Sequence, residues 1–176
     1  MVDKTALVII DVQNGLFTID DFPLYKEDVL IKNIQLLIKK ARNAKVPLFY
    51  IQHNEPKGKR LETGTENWKI HPAITPNSGD IIIQKYNSDS FMDTSLDEEL
   101  KKNEITRLVV AGLATPMCID TTIRSAVSHG YNVILIQDAH STIDSEVLKA
   151  PQIIAHHNDV LRWFCVLYKT EEFEFM

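Results

Sequence analysis

The chain predicts an α/β protein built on a mostly parallel sheet with helices on both faces. Two observations carry that prediction. Short apolar runs rich in Val and Ile recur at Ala6–Ile10, Leu48–Gln52, Asp80–Gln84, Leu108–Ala111 and Asn132–Gln137, and near-continuous runs of this kind mark strands buried on both faces. Stretches of helical period alternate with them, and such alternation favours right-handed crossovers between parallel strands. At 176 residues the chain fits one domain over 1–176 with a single sizeable core.

Ala6–Ile10 reads as a central strand that ends at Asp11, where open α/β sheets place their ligands; a capping or turn aspartate is the plainer alternative. Gln13 and Asn14 follow in the same loop. Asp28–Ala44 is an amphipathic helix with Leu30, Ile34, Leu37, Ile38 and Ala41 on one face. Leu48–Gln52 is a second strand ending at His53. Asn54–Gly79 holds several Pro and Gly and little periodicity. A connection this long suits a lid or substrate loop, with Trp68, Ile70 and His71 as anchors; Trp68 packing the loop down serves as well as substrate contact.

Asp80–Gln84 is the third strand, and Lys85 stands at its end. Most lysines are simply solvated, but one near an acid and a thiol at a strand end suits chemistry. Ser88, Ser90 and Phe91 line the next loop. Ser95–Lys102 is a short helix, with Ser95 and Glu98 spaced as a capping box. Leu108–Ala111 is the fourth strand, turning through Gly112-Leu113-Ala114. Thr115 is a helix N-cap with Pro116 at the first helical position. Cys118 then falls in the first helical turn, where outward N–H groups and the dipole favour a thiolate. A lone cysteine is ordinarily a small hydrophobe, and the strand-to-helix junction sets this one apart. Asn132–Gln137 is the fifth strand, with Asp138 at its end. Ser141, Thr142 and Asp144 read as turn or capping residues. Pro151–Trp163 is the last helix, and Phe164–Tyr168 the last strand, with Cys165 structural. His156 and His157 are adjacent on that helix, point apart, and do not form a metal pair. Thr170–Met176 is a tail suited to packing on a partner subunit.

A net charge of −5, with 24% charged and 44% hydrophobic residues, gives no electrostatic reason for binding nucleic acid or an anionic membrane. No apolar run reaches the roughly 20 residues of a membrane span. The N-terminal run is not secretory in pattern, and two cysteines make no disulfide framework. A reducing cytoplasm is the expected compartment. No G-x-G-x-x-G follows the first strand, which disfavours a dinucleotide-binding domain.

Three strand ends thus bring Asp11, Lys85 and Cys118 to one edge. The set Ile9-Ile10-Asp11-Val12-Gln13-Asn14, Lys85-Tyr86 with Ser90-Phe91, Gly112-Leu113-Ala114-Thr115-Pro116-Met117-Cys118 and Asp138-Ala139 resembles the isochorismatase-like cysteine hydrolases along nearly the whole chain. The resemblance implies a doubly wound, six-stranded, Rossmann-like three-layer fold and an Asp11–Lys85–Cys118 triad. It also implies a cis Leu113–Ala114 peptide, with backbone N–H groups of Ala114 and Cys118 as an oxyanion hole. In such enzymes the Asp accepts the thiol proton, the Lys stabilises the thiolate, and the Cys attacks an amide carbonyl. The expected substrate pocket takes Gln13, Phe17, His53 and Trp68 from the first two loops. It adds Tyr86, Phe91 and Thr115 from the later ones.

Nicotinamidases of this superfamily carry a metal behind an Asp-x-His motif. Here that place reads Gln52-His53-Asn54-Glu55, so no cofactor is expected, with His53, Glu55 and His71 as the only nearby ligand types. Isochorismatases proper lack the cysteine. The expected activity is therefore metal-free hydrolysis of a small C–N substrate by a homodimer or homotetramer. A metal-assisted nicotinamidase and a non-catalytic small-molecule binder on the same scaffold are the alternatives.

Overall fold

Strand β1 (Thr5–Ile10, TALVII) is buried at every position, because apolar residues face both ways from it. Ala6, Val8 and Ile10 enter one core and Leu7 and Ile9 the other, as the two-residue period of a strand requires. The structure, a computed structural model, describes residues 4–19 and 22–175. Residues 1–3 of the N-terminal stretch and Met176 of the tail lie outside the described residues.

Around β1 stand β2 (Leu48–His53), β3 (Ile81–Lys85), β4 (Arg107–Leu113), β5 (Asn132–Ser141) and β6 (Val166–Tyr168). Their order is β3-β2-β1-β4-β5-β6, and every pairing is parallel. Helix α1 (Glu27–Asn43) lays Leu30, Ile34, Leu37 and Ala41 on one face of the sheet. Helices α2 (Leu96–Lys102), α3 (Asp120–Ser128) and α4 (Ala150–Leu161) bring Leu96, Leu100, Ile123, Ala126 and Leu161 to the other. The six-stranded, three-layer architecture is as the sequence predicts. The strand order reverses between β1 and β4, which opens a crevice at their carboxyl ends.

Four local features depart from the sequence reading. Strand β5 runs on to Ser141, because its pairing with β4 shifts between Val110 and Gly112 and a bulge absorbs the extra residues. The expected helix at Pro116 opens instead as a π-helical turn, Thr115–Ile119, and α3 proper starts at Asp120. Ser95 makes no side-chain cap; the Thr94 hydroxyl accepts the Leu96 N–H in its place. The tail folds back on its own chain. Phe173 is buried beside Tyr168 and Phe175, Lys40 Nζ donates to the carbonyls of Thr170, Glu171 and Phe173, and Asp138 Oδ1 accepts from Thr170 N and Oγ1. Asp144 does cap: its Oδ1 accepts the N–H of Ala150 at the start of α4.

Gly112 is the tight point of the sheet. Its φ is +125°, and a Cβ there would run into the backbone of Ile10. Only glycine meets both conditions, so β4 closes onto the very end of β1. Asp11, the next residue, takes φ +52°, a left-handed conformation that Asp tolerates better than most residues.

Candidate active site

Asp11, Lys85 and Cys118 leave three strand ends and meet. Lys85 crosses from β3, past the end of β2, with its side chain wholly buried. Its Nζ lies 2.7 Å from Asp11 Oδ2 and 3.1 Å from Cys118 Sγ. It also donates to the Asn87 carbonyl at 2.9 Å and stands 3.4 Å from His53 Nδ1. Asp11 Oδ1 is buried and has no hydrogen-bond partner among the described residues. A buried carboxylate oxygen with a spare lone pair beside a thiol is a place for a proton to land.

The electrostatics differ from the helix-terminus expectation. Burial pushes the Cys118 thiol up to about 11, and the Asp11 charge pushes the same way, against the pull of Lys85. Cys118 is therefore a thiol at rest, because removal from water costs the thiolate more than Lys85 returns. Burial likewise raises the Asp11 carboxyl above its ordinary value, with Lys85 opposing. Cys165, just before β6, is also raised to about 11 by burial, so resting pKa alone does not separate the two thiols. What separates them is the acid and the ammonium beside Cys118.

The expected pocket residues divide. His53 ends β2, half-buried, and faces Lys85. Gln13 is wholly buried and spends its amide as a clamp. Its Nε2 donates to His53 O at 2.9 Å and Trp68 O at 2.7 Å, and its Oε1 accepts from His53 N at 2.8 Å. Trp68 pins the long loop, with Nε1 on Asn54 Oδ1 at 2.7 Å. Phe17 lies against the His71 ring, and Tyr86 is exposed. Phe91 is a core residue, stacked on His129 and Tyr131, and so packs under α3 and not into the crevice. Thr115 is buried and gives no cap; its Oγ1 bonds His140 Nδ1 at 2.8 Å. The Leu113–Ala114 peptide is cis.

His140 is the residue the sequence reading misses. It sits past the expected end of β5, where the bulge turns it beneath Thr115. Its Nε2 meets Asn158 Oδ1 at 2.9 Å, while Asn158 Nδ2 donates to Gln137 O, so Asn158 offers an acceptor. His140 then carries its proton on Nε2 and accepts from Thr115. Burial lowers its pKa to about 4. No periodic signal announces a bulge, so nothing in the sequence pointed to this contact.

Among the described residues no group of three or more His, Cys, Asp and Glu side chains is placed to hold a metal ion. Glu55 Oε2 is taken by the Leu61 N–H, and His71 Nδ1 by the Ala73 N–H. Nor is any described helix long and apolar enough to cross a membrane.

Residues 5–151 match the family model of the isochorismatase domain. An isochorismatase family protein of Bacillus subtilis, YddQ, is 33% identical over 145 residues, covering 81% of this chain and 81% of YddQ. The ureidoacrylate amidohydrolase RutB of Acinetobacter baylyi is 25% identical over 172 residues, covering 78% of this chain and 70% of RutB. A crystal structure of an isochorismatase family protein superposes with a TM-score of 0.90 at 28% identity, covering 96% of this chain and 100% of the other.

Proposed function

The chain belongs to the isochorismatase family, and from that premise we propose that it is a hydrolase that cleaves the C–N amide bond of a small molecule, with Cys118 as nucleophile. The observation that carries this reading is the buried Lys85 ammonium bridging Asp11 and Cys118 at the carboxyl edge of the sheet. Amide chemistry is what the name of the RutB relative denotes.

In this mechanism Asp11 takes the Cys118 proton as Sγ attacks the amide carbonyl carbon. The Lys85 charge compensates the thiolate as it forms. Backbone N–H groups of Ala114 and Cys118 receive the oxyanion. The C–N bond then breaks, and the leaving amine or ammonia takes the proton that Asp11 holds. That leaves a Cys118 thioester. Water, deprotonated by Asp11, cleaves it to the carboxylic acid, and the proton returns to the sulfur. Leaving Cys118 a thiol until substrate arrives protects it from oxidation and stray electrophiles.

A screen of small amides for ammonia or amine release tests the reading. Cys118→Ala should fold normally and lose turnover by about a thousandfold or more. Turnover that survives in Cys118→Ala removes the proposal.

A further inference from the structure

Lys85 has more acceptors around its ammonium than protons to give them. Asp11 Oδ2, the Asn87 carbonyl, Cys118 Sγ and His53 Nδ1 stand 2.7, 2.9, 3.1 and 3.4 Å from Nζ. An ammonium carries three protons and accepts nothing. The two more distant partners, the large sulfur atom and the imidazole, therefore compete for the third proton. A neutral thiol accepts weakly, whereas an ionised acceptor binds strongly.

His53 is held in place for this contest. Parallel pairing sets it directly beside Lys85 on the neighbouring strand. The Gln13 amide grips both its N–H and its carbonyl. Because the ammonium can only donate, Nδ1 must offer a lone pair, and the neutral ring then carries its proton on Nε2. Burial and then the Lys85 charge hold the imidazole below its ordinary pKa, against Asp11 and Glu55. The ring is thus neutral, and an acceptor, at neutral pH.

From this arrangement, and resting on the reading of Cys118 as nucleophile, we infer that His53 is a positioning residue that shares the third proton of Lys85 with Cys118. At rest that N–H reaches Cys118 Sγ at 3.1 Å and is drawn partly toward His53 Nδ1 at 3.4 Å, and Cys118 stays a thiol. When the thiol proton passes to Asp11, the same N–H turns to the thiolate and leaves His53. Lys85 and His53 keep their own protons throughout; the one proton transferred goes from sulfur to carboxylate. His53 thereby sets how readily the nucleophile ionises.

The ultraviolet absorbance of the thiolate, titrated against pH in a Cys165→Ser background with Cys118→Ala as the blank, reads this directly. In His53→Leu the third proton has only sulfur to turn to, and the Cys118 midpoint should fall by about one pH unit. His53→Met, a second apolar variant, should shift it the same way. His53→Gln keeps an acceptor oxygen and should return the midpoint to near the wild-type value. An unmoved or raised midpoint in whichever apolar variant folds overturns the inference. A Gln variant that shifts as far as Leu also overturns it. The titration needs no substrate, so it is read apart from the hydrolase proposal, which stands or falls on amine or ammonia release by the unaltered chain and its loss in Cys118→Ala.

Discussion

A single ammonium decides most of what Asp11 and Cys118 do, and the two charged residues pull the thiol in opposite directions. Lys85→Ala removes the charge that lowers the Cys118 pKa, so its alkylation by iodoacetamide near neutral pH should slow by about tenfold or more. Asp11→Asn removes a charge that raises it, so alkylation should quicken while hydrolysis falls by about a hundredfold or more for want of the base. Each variant leaves one buried charge alone, at a cost of roughly 3–5 kcal/mol, so rates are to be read at temperatures where both variants stay folded. An unchanged alkylation profile in Lys85→Ala returns that lysine to a structural role. Asp11 and Lys85 were legible because each ends an apolar run, and Cys118 because it falls in the helical turn that follows one. The resting state of the thiol was not, because it depends on how much water the folded chain excludes, and no local pattern records that. His140 makes a second statement at this scale. Its folded pKa of about 4 lies below the ordinary 6.5, so the folded state resists a proton that the unfolded chain accepts. Stability should therefore drop as pH falls from about 6.5 to about 4, by on the order of 3 kcal/mol, and level off below. Urea unfolding across that window checks this, and the drop should shrink in His140→Gln; an equal drop in that variant assigns it elsewhere.

At the scale of elements, the site depends on where strands stop and how closely they approach. The existence of β1 to β5, one after another along the chain, followed from apolar runs alone; their order in the sheet did not. Their ends did not, since β5 passes through a bulge and the Cys118 turn is π-helical, and neither has a period to detect. Gly112 shows the cost of closing β4 on β1. Gly112→Ala would place a Cβ against the Ile10 backbone and hold alanine at a φ that glycine favours. We expect a loss of roughly 3 kcal/mol or more, seen as a lower denaturant midpoint, together with slower hydrolysis because Asp11 is the next residue. A variant as stable as the parent would show that the two strands can part without penalty.

For the molecule as a whole, the tail expected to pack on a partner packs at home: Phe173 is buried in the same core as α1. Beside the tail, at the β6 edge of the sheet, Trp163 is 82% exposed and Val166 56%, next to the side of β6 that pairs with no described strand. We propose that a second copy covers it. Light scattering at micromolar concentration should then give the mass of a dimer or tetramer, and Trp163→Glu should lower it; a monomer mass for the unaltered chain refutes the proposal. Segment 54–79 was legible as a long connection, and Trp68 as its anchor. The partner that holds the anchor was not, because Gln13 is far from Trp68 in sequence and nothing in either neighbourhood marks the pair. That clamp has a practical corollary. Gln13 and Gln52 grip Trp68 through its main-chain carbonyl, and Gln13 grips His53 through main-chain atoms too. These bonds are blind to the side chains displayed between the anchors. Exposed positions between the anchors, such as Lys57 and Lys59, can then be exchanged, whereas the buried Leu61 stays fixed, as does Thr63, whose hydroxyl bonds the Asn54 oxygen that holds Trp68.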